Sequence, residues 1–205
     1  MSAASFADNR ANVNRLAYIG RKPGAGSRDP DSWYTPKTYV DAARRVMGGI
    51  DLDPFTSSAA NETIRATHCF TESKSAFDYP WRTPPMARQY PGGLRVWMNP
   101  PYSAQLIGRA VDTFLEARSA GHVGQAVVLV NNSTDTRWFS ALREAAEAVC
   151  MTAHRIAFEA VDGKRVSGNT RGQVFFYVGP AAQAEAFTVE FSRFGWCISR
   201  SRGWR

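Results

Sequence analysis

Residues 94–102 read LRVWMNPPY: a five-residue apolar-rich run, Leu94–Met98, that stops at Asn99-Pro100-Pro101-Tyr102. The run has the composition of a buried strand. Two consecutive prolines fix φ and remove two backbone donors, so a central strand ends where they begin. After it, Leu106, Ile107, Ala110, Val111, Phe114 and Leu115 recur at helical spacing. Ala126–Val130 (AVVLV) is a continuous apolar run, the pattern of a central parallel strand covered on both faces. Thr134–Thr136 offer capping side chains for a helix whose apolar side is Trp138, Phe139, Leu142, Ala145 and Ala146. Val174–Val178 (VFFYV) predicts a further strand ended by Gly179-Pro180. On the N-terminal side, Thr35-Pro36 predicts a helix start, with Thr35 as N-cap and Pro36 at the first helical position. Tyr39, Val40, Ala43, Val46 and Met47 form its apolar face, and Gly48-Gly49 stop it. Ile50–Phe55 (IDLDPF) predicts a short strand running into a proline-broken loop. Strands alternating with helices predict an α/β fold: a mostly parallel open sheet with helices on both faces. The stretch Ala182–Val189 and the aromatic-rich end fit neither pattern clearly.

The chain has 205 residues and a formal net charge of +7, a length that suits one domain with a substantial core. At 44% hydrophobic and 21% charged it is too apolar for a disordered chain. No stretch reaches the roughly 18 apolar residues of a membrane span, and Met1–Arg10 lacks the core of a signal peptide. Cys69, Cys150 and Cys197 are scattered, and His68, His122 and His154 share no ligand spacing. Neither a disulfide framework nor a metal site is expected, and a reducing cytoplasm is. The charge is uneven. Arg10, Arg15, Arg21, Lys22 and Arg28 face one acid, Asp8, in the first 28 residues; Arg193, Arg200, Arg202 and Arg205 follow the last acid, Glu190. The middle is nearly neutral. The expected organisation is a basic flexible N-terminal segment (1–32), a central domain (33–190) and a basic aromatic C-terminal tail (191–205). Basic ends of this kind attract nucleic acid by releasing counterions.

Ligands of open α/β sheets bind outside the carboxyl ends of the strands, near the switch in strand order. Two unusual sequences are expected at such ends: Asp51-Leu52-Asp53-Pro54-Phe55 and Asn99-Pro100-Pro101-Tyr102. The Asn99 side-chain oxygen and the Pro100 carbonyl are two acceptors on a stiff strand exit, able to grip both hydrogens of a planar –NH2 group. The Tyr102 ring can stack on the flat group that carries it. An exocyclic amine is a poor nucleophile because its lone pair is delocalised. Acceptors on its hydrogens favour the tetrahedral geometry that localises the pair, and they stabilise the positive charge that develops during attack. Such a site suits a strong electrophile and needs no strong base.

With these elements in order the sequence resembles the phage-type DNA N6-adenine methyltransferases, relatives of the Dam enzymes, from about Trp33 to Gly179. The resemblance rests on Trp33-Tyr34-Thr35-Pro36, Asp51-Leu52-Asp53-Pro54 with Ala59-Ala60-Asn61, Phe70-Thr71-Glu72, and Phe77-Asp78-Tyr79-Pro80-Trp81. It continues through Asn99-Pro100-Pro101-Tyr102, Thr134–Phe139, Arg155–Phe158 and Gly172–Phe176. It implies a Rossmann-like S-adenosylmethionine-dependent methyltransferase sheet with one late antiparallel strand, a double-stranded DNA substrate, and a phage or prophage gene acting in a bacterial host cell. Asn99, Pro100, Pro101 and Tyr102 would be catalytic. The sulfonium of S-adenosylmethionine would sit near Asn99 and its cationic methionine end near Asp53, with Pro54 and Phe55 alongside. Tyr34, Thr35 and Pro36 would help hold that end, and Asp78, after a later strand, the adenosine side. The sequence departs from the broader methyltransferase pattern in lacking a glycine-rich Phe-x-Gly-x-Gly at the first motif. Asp51 is expected to serve only its own turn. Trp33, Trp81 and Trp97 are expected in the core. Arg137, Lys164, Arg165 and Arg171 are the candidate DNA contacts, against a default of solvated surface. Two readings compete: a methyltransferase acting on another planar nitrogen (a protein glutamine or an RNA guanine), and a catalytically inactive basic DNA-binding module.

Overall fold

A computed structural model describes residues 34–71, 73–159 and 170–203. In chain order the elements are α1 (Lys37–Met47), β1 (Leu52–Asp53), α2 (Ser58–Ile64), β2 (His68–Cys69), α3 (Pro84–Gln89), β3 (Leu94–Met98), α4 (Ile107–Ser119), β4 (Val123–Asn131), α5 (Arg137–Ala145), β5 (Ala148–Thr152), β6 (Gln173–Val178), α6 (Ala184–Phe191) and β7 (Gly195–Ser199). They build one seven-stranded sheet in the order β2-β1-β3-β4-β6-β5-β7.

The strands β2, β1, β3 and β4 run parallel, whereas β6 lies antiparallel between β4 and β5, and β7 is antiparallel to β5. Two strands are therefore reversed, where one was expected. The cause is the connection: β6 and β7 are joined through α6, and a helical crossover makes the strands it joins parallel to each other. Because β6 is reversed, β7 is too. The sequence pattern passed over β2 and β5. The end of the chain, expected to be a tail from residue 191, instead supplies buried Phe191 and the edge strand β7. Its arginines are partly spent inside the fold. Arg193 pairs with Glu190, which also holds Arg45. Arg200 donates to the carbonyls of Ala146 (2.6 Å) and Glu144 at the end of α5, where orphan carbonyls and the helix dipole favour a cation.

Both faces of the sheet are covered. On one, Val96, Met98, Val128, Val130, Val174 and Phe176 pack against Val111 and Phe114 of α4 and Phe139 and Leu142 of α5. On the other, Trp97, Val127, Leu129, Phe175 and Tyr177 meet Val40 and Ala43 of α1 and Phe187 and Phe191 of α6. The β4 run alternates between the two clusters, so every residue from Ala126 to Val130 is buried. Trp81 and Trp97 are core residues, as expected; Trp33 lies outside the described residues. At the amino end of β3, Arg95 clasps Asp51: Nη2 to Oδ1 at 2.6 Å, Nε and the backbone N–H to Oδ2 at 2.8 Å each. Asp51 thus has a structural role, but its partner is a neighbouring strand rather than its own turn. No described helix is long and apolar enough to cross a membrane.

Candidate active site

The chain leaves β1 for β2 on one side and returns to β3 on the other, so the strand order switches at the β1–β3 pair. Leu52 is level with Val96, which brings Asp53 and Asn99 out at the carboxyl ends of adjacent parallel strands. The two sequences that stood out along the chain are neighbours in space.

Asn99 is held at both ends of its amide. Its Nδ2 donates to Thr35 Oγ1 at 3.3 Å, and the Tyr102 hydroxyl donates to its Oδ1 at 2.7 Å, within reach also of the Leu129 carbonyl at 3.2 Å. An amide pinned from both sides has one orientation, and Oδ1 keeps acceptor capacity beyond the bond from Tyr102. Tyr102 is half-buried against the sheet cluster that contains Val128 and Val130, and burial pushes its phenol well above the ordinary tyrosine range. It stays a neutral donor.

Thr35 is buried, and its hydroxyl is committed to Asn99. That explains why it does not cap α1: the helix begins at Lys37 with Pro36 in the cap position and no side-chain cap. Tyr34 is tied to Glu159 by a reciprocal pair of 2.9 Å backbone hydrogen bonds. Its hydroxyl lies 3.5 Å from Ser57 Oγ, and Ser57 caps α2 by accepting from the Ala60 N–H. Tyr34 and Thr35 therefore bridge the loop after β1 to the loop after β3.

Asp53 is 1% exposed, and no lysine or arginine among the described residues pairs with it. One carboxyl oxygen accepts from the Phe55 N–H at 3.1 Å, a turn bond of the kind Asp makes beside proline. Burial pushes its pKa up to about 7, against the opposing pull of the Phe55 N–H and the Thr56 hydroxyl. A carboxyl so placed charges readily once a cation arrives beside it. Phe55 stands half-buried against Phe77 and edge-on to Trp81.

Asp78 differs from its expected setting: it sits in an exposed turn rather than after a strand, 4.0 Å from the guanidinium of Arg109. Arg109 also lies over the Phe77 ring, 4.3 Å from its centroid. Sequence reading missed both Arg109, which carries no motif, and Ser57, whose only signal is a serine one residue before a helix. Arg137 and Arg171 are exposed at the same edge of the sheet, where Asn132 after β4 bonds Gly172 before β6. Lys164 and Arg165 lie outside the described residues. No group of three or more metal-ligating side chains occurs among the described residues.

Residues 25–193 match the family model described as DNA N-6-adenine-methyltransferase (Dam). The chain is 26% identical to the DNA N-6-adenine-methyltransferase of Escherichia phage T1, across 78% of this chain and 69% of that one. It is 27% identical to the protein of the same description from Haemophilus phage HP1, across 78% of this chain and 86% of that one. No solved structure matches it.

Proposed function

Because the chain belongs to the DNA N-6-adenine-methyltransferase (Dam) family and is a DNA N6-adenine methyltransferase, we propose that S-adenosylmethionine is its methyl donor and that Asn99–Tyr102 hold the target adenine. The observation that carries this is the pairing, at one switch point, of a doubly pinned amide with a buried carboxyl that has no basic partner among the described residues. A lone carboxyl at this depth fits an ammonium group. S-adenosylmethionine, when bound, supplies an electrophilic methyl group on a sulfonium.

The target base must leave the helical stack to reach a loop at the end of β3, at a cost of a few kcal/mol. Asn99 Oδ1 and the Pro100 carbonyl accept from its exocyclic amine, and Pro101 keeps the strand exit stiff. These two acceptors favour the pyramidal nitrogen needed for attack and stabilise the positive charge that grows on it. The proton released afterwards passes to solvent. Thr35 and Tyr102 keep the Asn99 oxygen facing the amine, and the face of the Tyr102 ring left uncovered by the core stacks on the base. Asp53 would hold the cationic methionine end of the donor, with Tyr34, Thr35, Pro36, Pro54 and Phe55 beside it. Phe77 and Asp78 flank the adenosine side. The basic segment 1–32, with Arg137, Lys164, Arg165 and Arg171, supplies salt-sensitive affinity for double-stranded DNA inside a bacterial host cell.

The test is methyl transfer from labelled S-adenosylmethionine to duplex DNA by the full chain, followed by nucleoside analysis. N6-methyladenine from the wild type and none from Asn99→Ala is the expected result. Label in a protein glutamine or an RNA guanine, with none in DNA, would overturn the reading.

A further inference from the structure

Four large apolar side chains are exposed among the described residues: Tyr79, Met151, Val189 and Trp196. Two of them are direct cross-strand partners, Met151 of β5 (38% exposed) and Trp196 of β7 (58% exposed). They form a bare patch at the edge of the sheet. Two residues further into the same face, Val149 and Ile198 belong to the cluster that Phe139 and Leu142 of α5 cover. The helix layer stops short of Met151 and Trp196. Leaving an indole in water forgoes apolar burial, so an exposed pair of this kind marks a contact surface.

Its position says what the contact is with. Through the register, Met151 pairs with Val174 and Val174 with Val130, while Met98 pairs with Val128. The patch thus stands one residue beyond the level of Asn99, at the same end of the sheet. Met151 lies three and Trp196 four strand spacings along the sheet from β3, the latter about 19 Å at roughly 4.8 Å per strand. The loop after β5 adds exposed His154 and Arg155 to this rim, and Arg171 stands exposed before β6. Among the described residues the acids of the same rim are Asp135 and Glu159, and Arg193, three residues before Trp196 in the chain, is paired with Glu190. An aromatic side chain among arginines, level with the site that acts on a base, suits the backbone and groove edge of a duplex.

We propose that Trp196 and Met151 form a second contact with the DNA substrate, with Trp196 about five to six base-pair steps from the flipped adenine at roughly 3.4 Å per step. Trp196 packs against the sugar and base edges of the flanking duplex and fixes how it lies across the sheet. This inference rests on the reading of Asn99 as the site that holds the base.

The test is the affinity of the full chain for a fluorescein-labelled 30-base-pair duplex at fixed salt, alongside S-adenosylmethionine affinity and turnover at saturating DNA. Trp196→Ala should weaken duplex binding about five- to tenfold and Trp196→Phe less than threefold. Both should leave cofactor affinity and saturated turnover unchanged. Shortening the duplex so that it ends within about four base pairs of the target should erase the difference between wild type and Trp196→Ala. Equal duplex affinity for wild type and Trp196→Ala would overturn the proposal. So would a wild-type dimer in sedimentation that Trp196→Ala turns into a monomer with duplex affinity intact, because the patch would then serve a second copy of the chain. Absence of methylation by the wild type would instead count against the reading of Asn99, a separate outcome.

Discussion

Asp51 and Asp53 are two residues apart, one just before β1 and one at its end, and both are almost completely buried. Asp51 meets a bidentate guanidinium and a backbone N–H from Arg95. Asp53 meets only the Phe55 N–H and the Thr56 hydroxyl of its own turn, and no cation among the described residues. A buried charge that finds its partner within the protein ties two strands together. A buried carboxyl left without one is costly to keep, and the proposed function gives it a cation to receive at the switch point. The amino end of the β1–β3 pair is complete in itself, whereas on the proposed reading the carboxyl end receives groups that come from outside.

The largest expected effect is at the carboxyl end. Asn99→Ala should lower methyl transfer at least a thousandfold, about 4 kcal/mol of transition-state stabilisation, in an assay with labelled donor. Its thermal unfolding and its affinity for duplex DNA should stay near wild type. Next comes the amino end. Asp51→Ala strands a guanidinium that is about one-third exposed, so solvent softens the loss. A cost of about 2–3 kcal/mol in denaturant unfolding is expected, with saturated turnover kept where the variant is folded. Asp53→Asn should reverse that pattern, weakening donor binding about tenfold or more in calorimetry while leaving stability equal or higher at pH 8.

Smaller effects sharpen the same contrast. Thr35→Val removes the acceptor for Asn99 Nδ2 and should reduce kcat about tenfold with little change in the KM for DNA, with Thr35→Ser restoring most of it. The pH dependence has a definite sign. The folded pKa of Asp53, about 7, lies above its ordinary value of 3.8. The protonated carboxyl therefore contributes stability in full below about pH 4, and this is lost as pH rises through about 7. Wild-type unfolding free energy should fall across that window, and the profile of Asp53→Asn should be flatter. Parallel profiles would show that the folded pKa of Asp53 lies close to its ordinary value.

The sequence carried much of this arrangement. The apolar run of β4 and the double proline after β3 are local signals, and both elements formed where periodicity placed them. The two motifs could be assigned to strand ends because Pro54 and Pro100 each stop a strand. Other features depend on the tertiary fold. β2 is two residues long and β5 reads AVCMT, too short or too weakly alternating to announce themselves. β7 is defined by its pairing with β5, so a stretch with four arginines looked like a tail. Thr35 has the sequence of a helix cap, yet its hydroxyl bonds an asparagine 64 residues away. Arg95 and Arg109 carry no motif; their roles appear only when β1, β3 and α4 are assembled.

The most direct test of the division of labour between the two aspartates is the dissociation constant of S-adenosylmethionine, measured by calorimetry between pH 6 and pH 8. An ammonium group beside Asp53 favours the ionised carboxyl, so wild-type affinity should rise up to about tenfold across this range and level off above about pH 7. Asp53→Asn should bind weakly with no such rise, and Asp51→Asn should follow the wild-type curve. Wild type and Asp53→Asn binding with equal affinity at pH 8 would contradict the account, because the buried carboxyl would then have no cation to receive.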